Sequence, residues 1–380
     1  MKSQSVPISK ILKNYDLCEY CAGRLVSKLI GKPSSKSLGK KYLKKFGKSS
    51  NTKCYVCKNI FENLDYMLSN IFEKSSNLDF KTFNLGLILK NSFLERDDHI
   101  KSKFKIKGIE NIKFGISIEM AKKISRRTKS TQIVNNPDLF IQANFKDESC
   151  IIRTKPIFVY GRYNKKIRKL PQKQMLCKSC NGIGCHNCNF KGLENIESIE
   201  GKISNLLIKK FEGNQVKINW IGGEDQSSLV LGNGRPFFAK ILNPKKRNRI
   251  LRKSLNLDAI TLSELKKILI QPKGSIPFKS KVSVIVDTEK PISLTNLKKL
   301  DILENTKIHD PTKDKKILNK QIYQIRYKKL GKTSFRLDLF ADGGIPIKFF
   351  IQNSDVTPNI SELLGNRCQC RKIDFKNIIV

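Results

Sequence analysis

Between residues 60 and 160 the apolar positions follow two different periods. From Ile60 to Phe72, Leu64, Met67, Leu68 and Ile71 recur at steps of three and four, which places them on one face of a helix. Phe83, Leu85, Leu87 and Leu89 alternate instead, as in a strand with one face buried. Helical spacing returns from Phe93 to Phe104 and from Ile116 to Arg127. Asn136-Pro137-Asp138 then breaks the chain, and the alternating segments Leu139 to Phe145 and Cys150 to Tyr160 read as a hairpin. Further on, Ser198 is placed to cap a helix whose apolar side carries Ile199, Ile203, Leu206 and Leu207 and which ends near Gly213. Val216 to Trp220 is a short strand, and Phe237 to Leu242 is the next, closed by Asn243-Pro244. The pattern predicts an α+β protein.

Composition adds length and charge to that picture. A chain of 380 residues, 39% hydrophobic, is long enough for two or three domains, each with its own core. Its 74 Lys and Arg against 33 Asp and Glu leave a net charge of +41, which favours a polyanionic partner through counterion release. The basic residues are interleaved with Ile, Leu and Phe along the whole chain, as on solvated faces of folded domains, so a long nucleic acid is the expected partner. No apolar run approaches the roughly 18 residues that span a bilayer, and the N-terminus lacks a signal-peptide core, so no membrane partner is expected.

Cysteine usage points to metal. Eight of the 11 Cys fall in four Cys-x-x-Cys pairs, a pattern expected of a reducing cytoplasm and not of a secreted disulfide framework. Cys18 and Cys21 are answered by Cys54 and Cys57, and two such turns present four thiolates to one tetrahedral ion, here structural zinc in a ribbon-like module. Cys177 and Cys180 are followed after a Gly-rich spacer by Cys185 and Cys188, a possible second zinc knuckle whose alternative is a loop of free thiols. Cys150, Cys368 and Cys370 read as small apolar fillers, and three His leave little room for His-centred catalysis.

Two stretches carry candidate chemistry. In Gly222-Gly223-Glu224-Asp225, followed by Gly232-Asn233-Gly234-Arg235-Pro236-Phe237, glycines permit a tight turn bearing carboxylates. On residue types alone such an Asp is also an ordinary turn-former, Gly232-x-Gly234 supports no nucleotide site, and no Walker-type motif occurs, so no nucleotide cofactor is expected. Upstream, Arg153 to Lys166 interleaves Arg and Lys with Tyr160 and Tyr163, a composition suited to phosphate contact and base stacking through Arg162, Tyr163, Lys165 and Lys166.

The string from Arg153 to Pro244, with its Cys cluster and its Gly222 to Asp225 loop, closely resembles the archaeal and eukaryotic Pus-ten family, tRNA pseudouridine synthases that modify uridines 54 and 55 of the TΨC arm. The resemblance extends from the Cys18 pair to Ile373-Asp374. It implies a zinc-binding module over residues 1–59, a THUMP-like RNA-binding domain over 60–165, a Cys-rich linker over 166–192 and a catalytic domain over 193–380. The catalytic domain would be a mixed sheet with helices on one face and a central cleft. It implies Asp225 as the nucleophile, with Glu224 pointing elsewhere, no catalytic cofactor, and tRNA as the partner of a monomeric chain.

Several family positions differ here. Gly223 stands where relatives carry Arg, leaving Arg235 as a candidate replacement. Val282 and Pro346 stand where relatives carry Tyr, with Tyr323 and Tyr327 as possible stand-ins. Ile347 and Lys348 match, and Ile373 falls near a pocket-lining Leu of the family. These departures leave open a catalytically weakened tRNA-binding or chaperone protein, and the residues alone leave open an unrelated zinc-ribbon RNA-binding protein.

Overall fold

Leu64, Met67, Leu68 and Ile71 are all buried along one helix, Leu64–Ser75, because their spacing aligns them on a single apolar stripe. The computed structural model describes residues 8–30, 36–48, 53–190, 192–193, 197–310, 318–352 and 356–380. The chain divides into two units, residues 1–155 with 245–248 and residues 156–244 with 249–380.

In the first unit the elements run α1 (Ile8–Asn14), α2 (Glu19–Ile30), α3 (Lys36–Lys45), α4 (Leu64–Ser75), β1 (Thr82–Ile88), α5 (Asn91–Lys103), α6 (Ile112–Thr128), β2 (Thr131–Gln132), β3 (Leu139–Asn144) and β4 (Ser149–Thr154). The sheet order is β2-β1-β3-β4, with β1 parallel to both neighbours and β3 antiparallel to β4. The alternation at Phe83, Leu85 and Leu87 is therefore that of a strand between two others, with α5 and α6 forming the crossover that a parallel β1–β3 pair requires. Two expectations change. Before residue 64 the described residues hold three helices and no strand, so Cys18 and Cys21 meet their partners at the start of a helix and not in a β-ribbon. The hairpin's second strand also stops at Thr154, because Pro156 cannot donate to a ladder, and residues 157–165 form a separate strand in the other unit.

The second unit runs β5 (Ile157–Lys165), α7 (Ile199–Phe211), β6 (Gln215–Trp220), β7 (Leu229–Leu242), β8 (Leu255–Leu257), β9 (Ile260–Ile268), β10 (Lys279–Thr288), α8 (Leu294–Lys298), β11 (Lys307–Asp310), β12 (Leu318–Lys329), β13 (Ser334–Asp342), α9 (Ile347–Gln352), α10 (Ile360–Leu364) and β14 (Cys368–Ile379). Ten strands form one mixed sheet in the order β11-β12-β13-β10-β14-β7-β5-β9-β8, with β6 added beside β7. Its pairings are antiparallel except at the centre, where β14 and β7 run parallel through Asp374↔Leu229 and Phe375↔Val230. Each half carries its own core. Ile199, Ile203, Leu207 and Phe211 of α7 pack with Val159, Phe237 and Ala239 on one side of the join, and Val284, Leu337, Phe350 and Ile360 cluster on the other. Each such burial is worth about 1.5–3 kcal/mol. Ser198 caps α7 as expected, its Oγ accepting the Gly201 N–H.

The strand expected to begin at Phe237 begins at Leu229 instead. Gly232 and Gly234 made the segment read as a loop, but both have positive φ and sit where neighbouring strands press close. A Cβ on Gly232 would lie 1.9 Å from the Lys376 carbonyl, and one on Gly234 2.7 Å from that of Tyr163. These glycines let β14 and β5 approach β7 at the join. No helix among the described residues is long and apolar enough to cross a membrane.

Candidate active site and metal centres

The loop from Ile221 to Ser228 leaves β6 and enters β7 beside the central join, and its two acids have opposite surroundings. Glu224 points inward. Its side chain and those of Lys165 and Arg235 have no solvent exposure, with Lys165 Nζ 3.0 Å from Oε1 and Arg235 Nε 3.4 Å from Oε2. Lys165 also donates toward the carbonyls of Leu170, Asp225 and Gln226 at 3.2–3.3 Å. Arg235 Nη1 donates to the Ile221 carbonyl at 2.9 Å, and Gln172 Nε2 to that of Gly222 at 3.3 Å. Arg168 bridges the Ser227 carbonyl and Asp374 at 2.6 Å each. Four side chains from β5, β7 and the segment after β5 thus hold the loop backbone at five of its carbonyls.

Asp225 points outward. Its Oδ1 accepts from Ser227 N at 2.9 Å and Ser227 Oγ at 2.5 Å, the local turn that Asp side chains favour. Its Oδ2 lies 2.7 Å from Lys348 Nζ, a pair whose side chains remain 35% and 47% exposed. Partial burial pushes the Asp225 carboxyl up, but hydrogen bonds from Lys348 and Ser227 outweigh it and hold the pKa at about 2. Asp225 is therefore an anion at neutral pH, as attack on an electrophilic carbon requires.

Next to the loop a pocket is lined by Gly223, Arg235, Phe278, Val282, Asp342, Ile347 and Phe375, among others. Arg235 lies with its guanidinium carbon 4.5 Å from the Phe375 ring centroid, and its Nη2 has no hydrogen-bond partner among the described residues. Phe278 lies between two glycines. A Cβ on Gly222 would come within 2.4 Å of its Cζ, and one on Gly343 within 2.3 Å of the same atom. Neither position tolerates a side chain while the ring is there.

Of the residues expected from sequence, Arg235, Val282 and Ile347 line this pocket and Lys348 reaches Asp225. Ile373 is buried in β14 opposite Val284, and Pro346 precedes α9, its carbonyl accepting the Phe350 N–H. Lys166 is exposed at the end of β5. Three basic-string residues expected to touch RNA are instead buried. Arg162 Nη1 donates to the carbonyls of Gly234 and Ile378, Tyr163 Oη accepts from Gln172, and Lys165 meets Glu224. Tyr163 and Lys165 have no exposed surface with which to reach a phosphate, and Arg162, about a tenth exposed, is committed to backbone carbonyls, so these three brace the sheet and the loop. Burial, and then the Glu224 carboxylate, push the Tyr163 phenol well above its usual range, so it stays neutral. Tyr323 donates to Asp342 at 2.9 Å and so reaches the pocket edge, whereas Tyr327 packs against the neighbouring core. Phe278 and Phe375 were missed. Phe278 lies in a polar Pro/Gly segment without periodicity, and Phe375 carries no signal beyond strand alternation.

The cysteines converge in two groups. The Sγ atoms of Cys18, Cys21, Cys54 and Cys57 lie within 4.8 Å of one another, as do those of Cys177, Cys180, Cys185 and Cys188. Tetrahedral bonds of about 2.3 Å to one ion set sulfur–sulfur distances near 3.8 Å. The spacings are 3.5 Å for Cys18–Cys57, 3.8 Å for Cys177–Cys185 and Cys180–Cys188, and 3.7 Å for Cys185–Cys188. In the second group the N–H groups of Gly184, Cys185 and Gly192 each point at a sulfur 3.2 Å away, which suits a thiolate. Both donor sets fit a metal ion.

A family model described as "Pus10, C-terminal" matches residues 158–378, and "Pus10 THUMP domain, archaeal" matches residues 68–144. A protein of Nitrosopumilus maritimus named tRNA pseudouridine synthase Pus10 is 43% identical over 376 residues, covering 99% of this chain and 98% of the relative. Proteins of the same name from Cenarchaeum symbiosum and Methanothermobacter marburgensis are 29% and 28% identical, covering 97% and 95% of this chain and 91% and 95% of their own lengths. With more than half of its length under one family model and nearly all of it aligned to a relative at 43% identity, the chain belongs to the Pus10 family.

Proposed function

We propose that this protein is a tRNA pseudouridine synthase in which Asp225 is the nucleophile, acting on uridines 54 and 55 of the TΨC arm. The observation that carries the reading is the ionised Asp225, presented at the rim of a fully braced loop beside a pocket, in a chain that belongs to the Pus10 family. The carboxylate forms a covalent adduct with the nucleoside as the N1–C1′ bond breaks. The uracil turns, C5 bonds to C1′, the adduct is released, and the proton lost from C5 is replaced by one at N1. Lys348 pairs with the Asp225 carboxylate and positions it before attack, and its half-exposed ammonium gives way as the base enters. Arg235, sealed beneath the pocket, positions the loop through Glu224 and the Ile221 carbonyl, and is the candidate replacement for the Arg that relatives carry at the position of Gly223. Phe278 and Phe375 give the pocket aromatic walls that Val282 and Pro346 do not. Flipping the uridine costs about a few kcal/mol, offset by phosphate contacts of the +41 chain. Both four-thiolate sites hold structural zinc, outside the chemistry.

The test is incubation of the full chain with an unmodified tRNA transcript, with pseudouridine mapped by carbodiimide-dependent primer-extension stops. Stops at 54, 55 or both are expected. Tight tRNA binding without any stop would favour a binding or chaperone role instead. Elemental analysis should find about two zinc ions per chain.

A further inference from the structure

Cys18, Cys21, Cys54 and Cys57 are each at most 5% exposed. Four thiolates around a divalent ion keep two negative charges, and buried charge of that kind needs a partner. Arg24 is placed to be that partner. Among the described residues of the first unit it is the only buried cation, 2% exposed. It stands three residues after Cys21 on α2, a spacing that makes side chains neighbours on a helix. Burial works against its charge, and Asp97 and then the Cys21 sulfur outweigh that effect.

The guanidinium is only partly used by its other neighbours. Nη1 and Nη2 both donate to the Asp97 carboxylate, and Nη1 also donates to the Glu110 carbonyl at 2.5 Å. Nε, though buried, has no hydrogen-bond partner among the described residues. Asp97 is shared as well, since its Oδ2 takes Lys101 Nζ at 2.7 Å and the Ile112 N–H at 3.1 Å, and Lys101 lies 3.7 Å from the exposed Asp98 in turn. Helix α6 leaves room for the side chain at Gly115, where a Cβ would lie 3.2 Å from Arg24 Cδ and 3.8 Å from its Nε. On the other Cys pair, Arg96 Nε donates to the Val56 carbonyl at 3.2 Å. Consecutive residues of α5 thus brace both Cys pairs, Asp97 through Arg24 and Arg96 through the backbone.

We propose that Arg24 is the charge partner of the first metal site, its Nε serving the Cys21 sulfur while its Nη groups anchor it to Asp97 and the Glu110 carbonyl. Metal retention by the four thiolates is thereby linked to the seating of α5 and α6. The inference rests on the metal reading of the four thiolates and is independent of the tRNA reaction.

The test is a chelator competition on the full, zinc-loaded chain, in which the second four-thiolate group serves as internal control. Arg24→Met with Asp97→Leu removes both buried charges together, so that neither is left unpaired. One zinc ion should then be held about ten- to a hundredfold more weakly, as when the hydrogen-bond partner of a ligand is lost, and the other as in wild type. Arg24→Lys keeps the charge but not the fork of donors, and should weaken the same ion by about three- to tenfold. This variant decides the matter if the double variant does not fold. Cobalt(II) in place of zinc reads the sulfur itself, because losing a donor to a thiolate should move part of the sulfur-to-cobalt charge-transfer band to lower energy. Wild-type metal affinity in the variants would overturn the inference, as would an equal loss at both sites or a weakened site whose band does not move. A wild-type chain that binds no metal would overturn the metal reading beneath it as well.

Discussion

The floor and the rim of the Ile221–Ser228 loop differ more than their one-residue separation suggests. At the floor, Glu224 is sealed with Lys165 and Arg235 in a fully buried ion cluster. At the rim, Asp225 is part-exposed and touches one half-exposed cation, Lys348. The floor's charge fixes backbone, and the rim's charge stays accessible, as the proposed reaction needs. On the proposed reaction a carboxylate must be placed to a fraction of an ångström yet stay free to form a bond, and those two demands would fall to different residues of this loop.

The largest effect expected is at the rim. Asp225→Asn preserves shape but removes the anion, so pseudouridine formation should fall by about a thousandfold or more while tRNA affinity stays within about threefold. Single-turnover assays and anisotropy would measure both. Full activity in Asp225→Asn would erase the distinction.

At the floor the effect should be on stability. Glu224→Gln leaves two buried cations without their counter-charge and should cost about 3–5 kcal/mol. Trp220, the single Trp of the chain, lies in β6 with its ring 5.6 Å from that of Tyr163, so its fluorescence in urea reports this region. Lys165→Met combined with Glu224→Leu should recover part of the loss, since the cluster's value lies in its pairing. A Glu224→Gln protein as stable as wild type but inactive would reverse the roles of the two acids.

The smallest effect is the pH response of the rim. Because the folded pKa of Asp225 is depressed to about 2, its contribution to stability is present above the ordinary carboxylate pKa and is lost as pH falls toward 2. Lys348→Met removes the main stabilising partner, so the carboxyl should titrate at higher pH and the acid limb of kcat/KM should shift upward. At pH 7 Asp225 stays ionised in the variant, and any loss there reflects positioning. A pH profile between 3 and 6 checks the shift; an acid limb that stays put would remove Lys348 from this role.

How far the sequence carries depends on where the signal resides. Helix α4, strand β1 and the Ser198 cap are local, and the period of Leu64, Met67, Leu68 and Ile71 or the step from Ser198 to Gly201 contains them entire. The fate of Arg162, Tyr163 and Lys165 is not local. A basic residue alternating with Tyr looks the same whether it faces phosphate or a buried Glu, and that Glu lies 59 residues further along the chain. The start of β7 was hidden for a related reason, because Gly232 and Gly234 signal a loop until the carbonyls pressing on them are known. Asp225 and Lys348, singled out through family resemblance, meet at 2.7 Å, while Phe278 needed the two glycines around it to be seen in space.

The parallel contact between β14 and β7 has a consequence for biosynthesis. Asp374 takes the Arg168 guanidinium and the Leu229 N–H, so the loop's last restraint comes from a residue 206 positions after Arg168. During translation at about 5–20 residues per second, the acid and its pocket are synthesised well before that restraint exists. Until then the Ile221–Ser228 loop lacks the tie that Arg168 makes from the Ser227 carbonyl to Asp374. On the proposed reading, a fully restrained Asp225 loop would wait for the strand bearing Asp374 to leave the ribosome and insert between the two halves of the sheet.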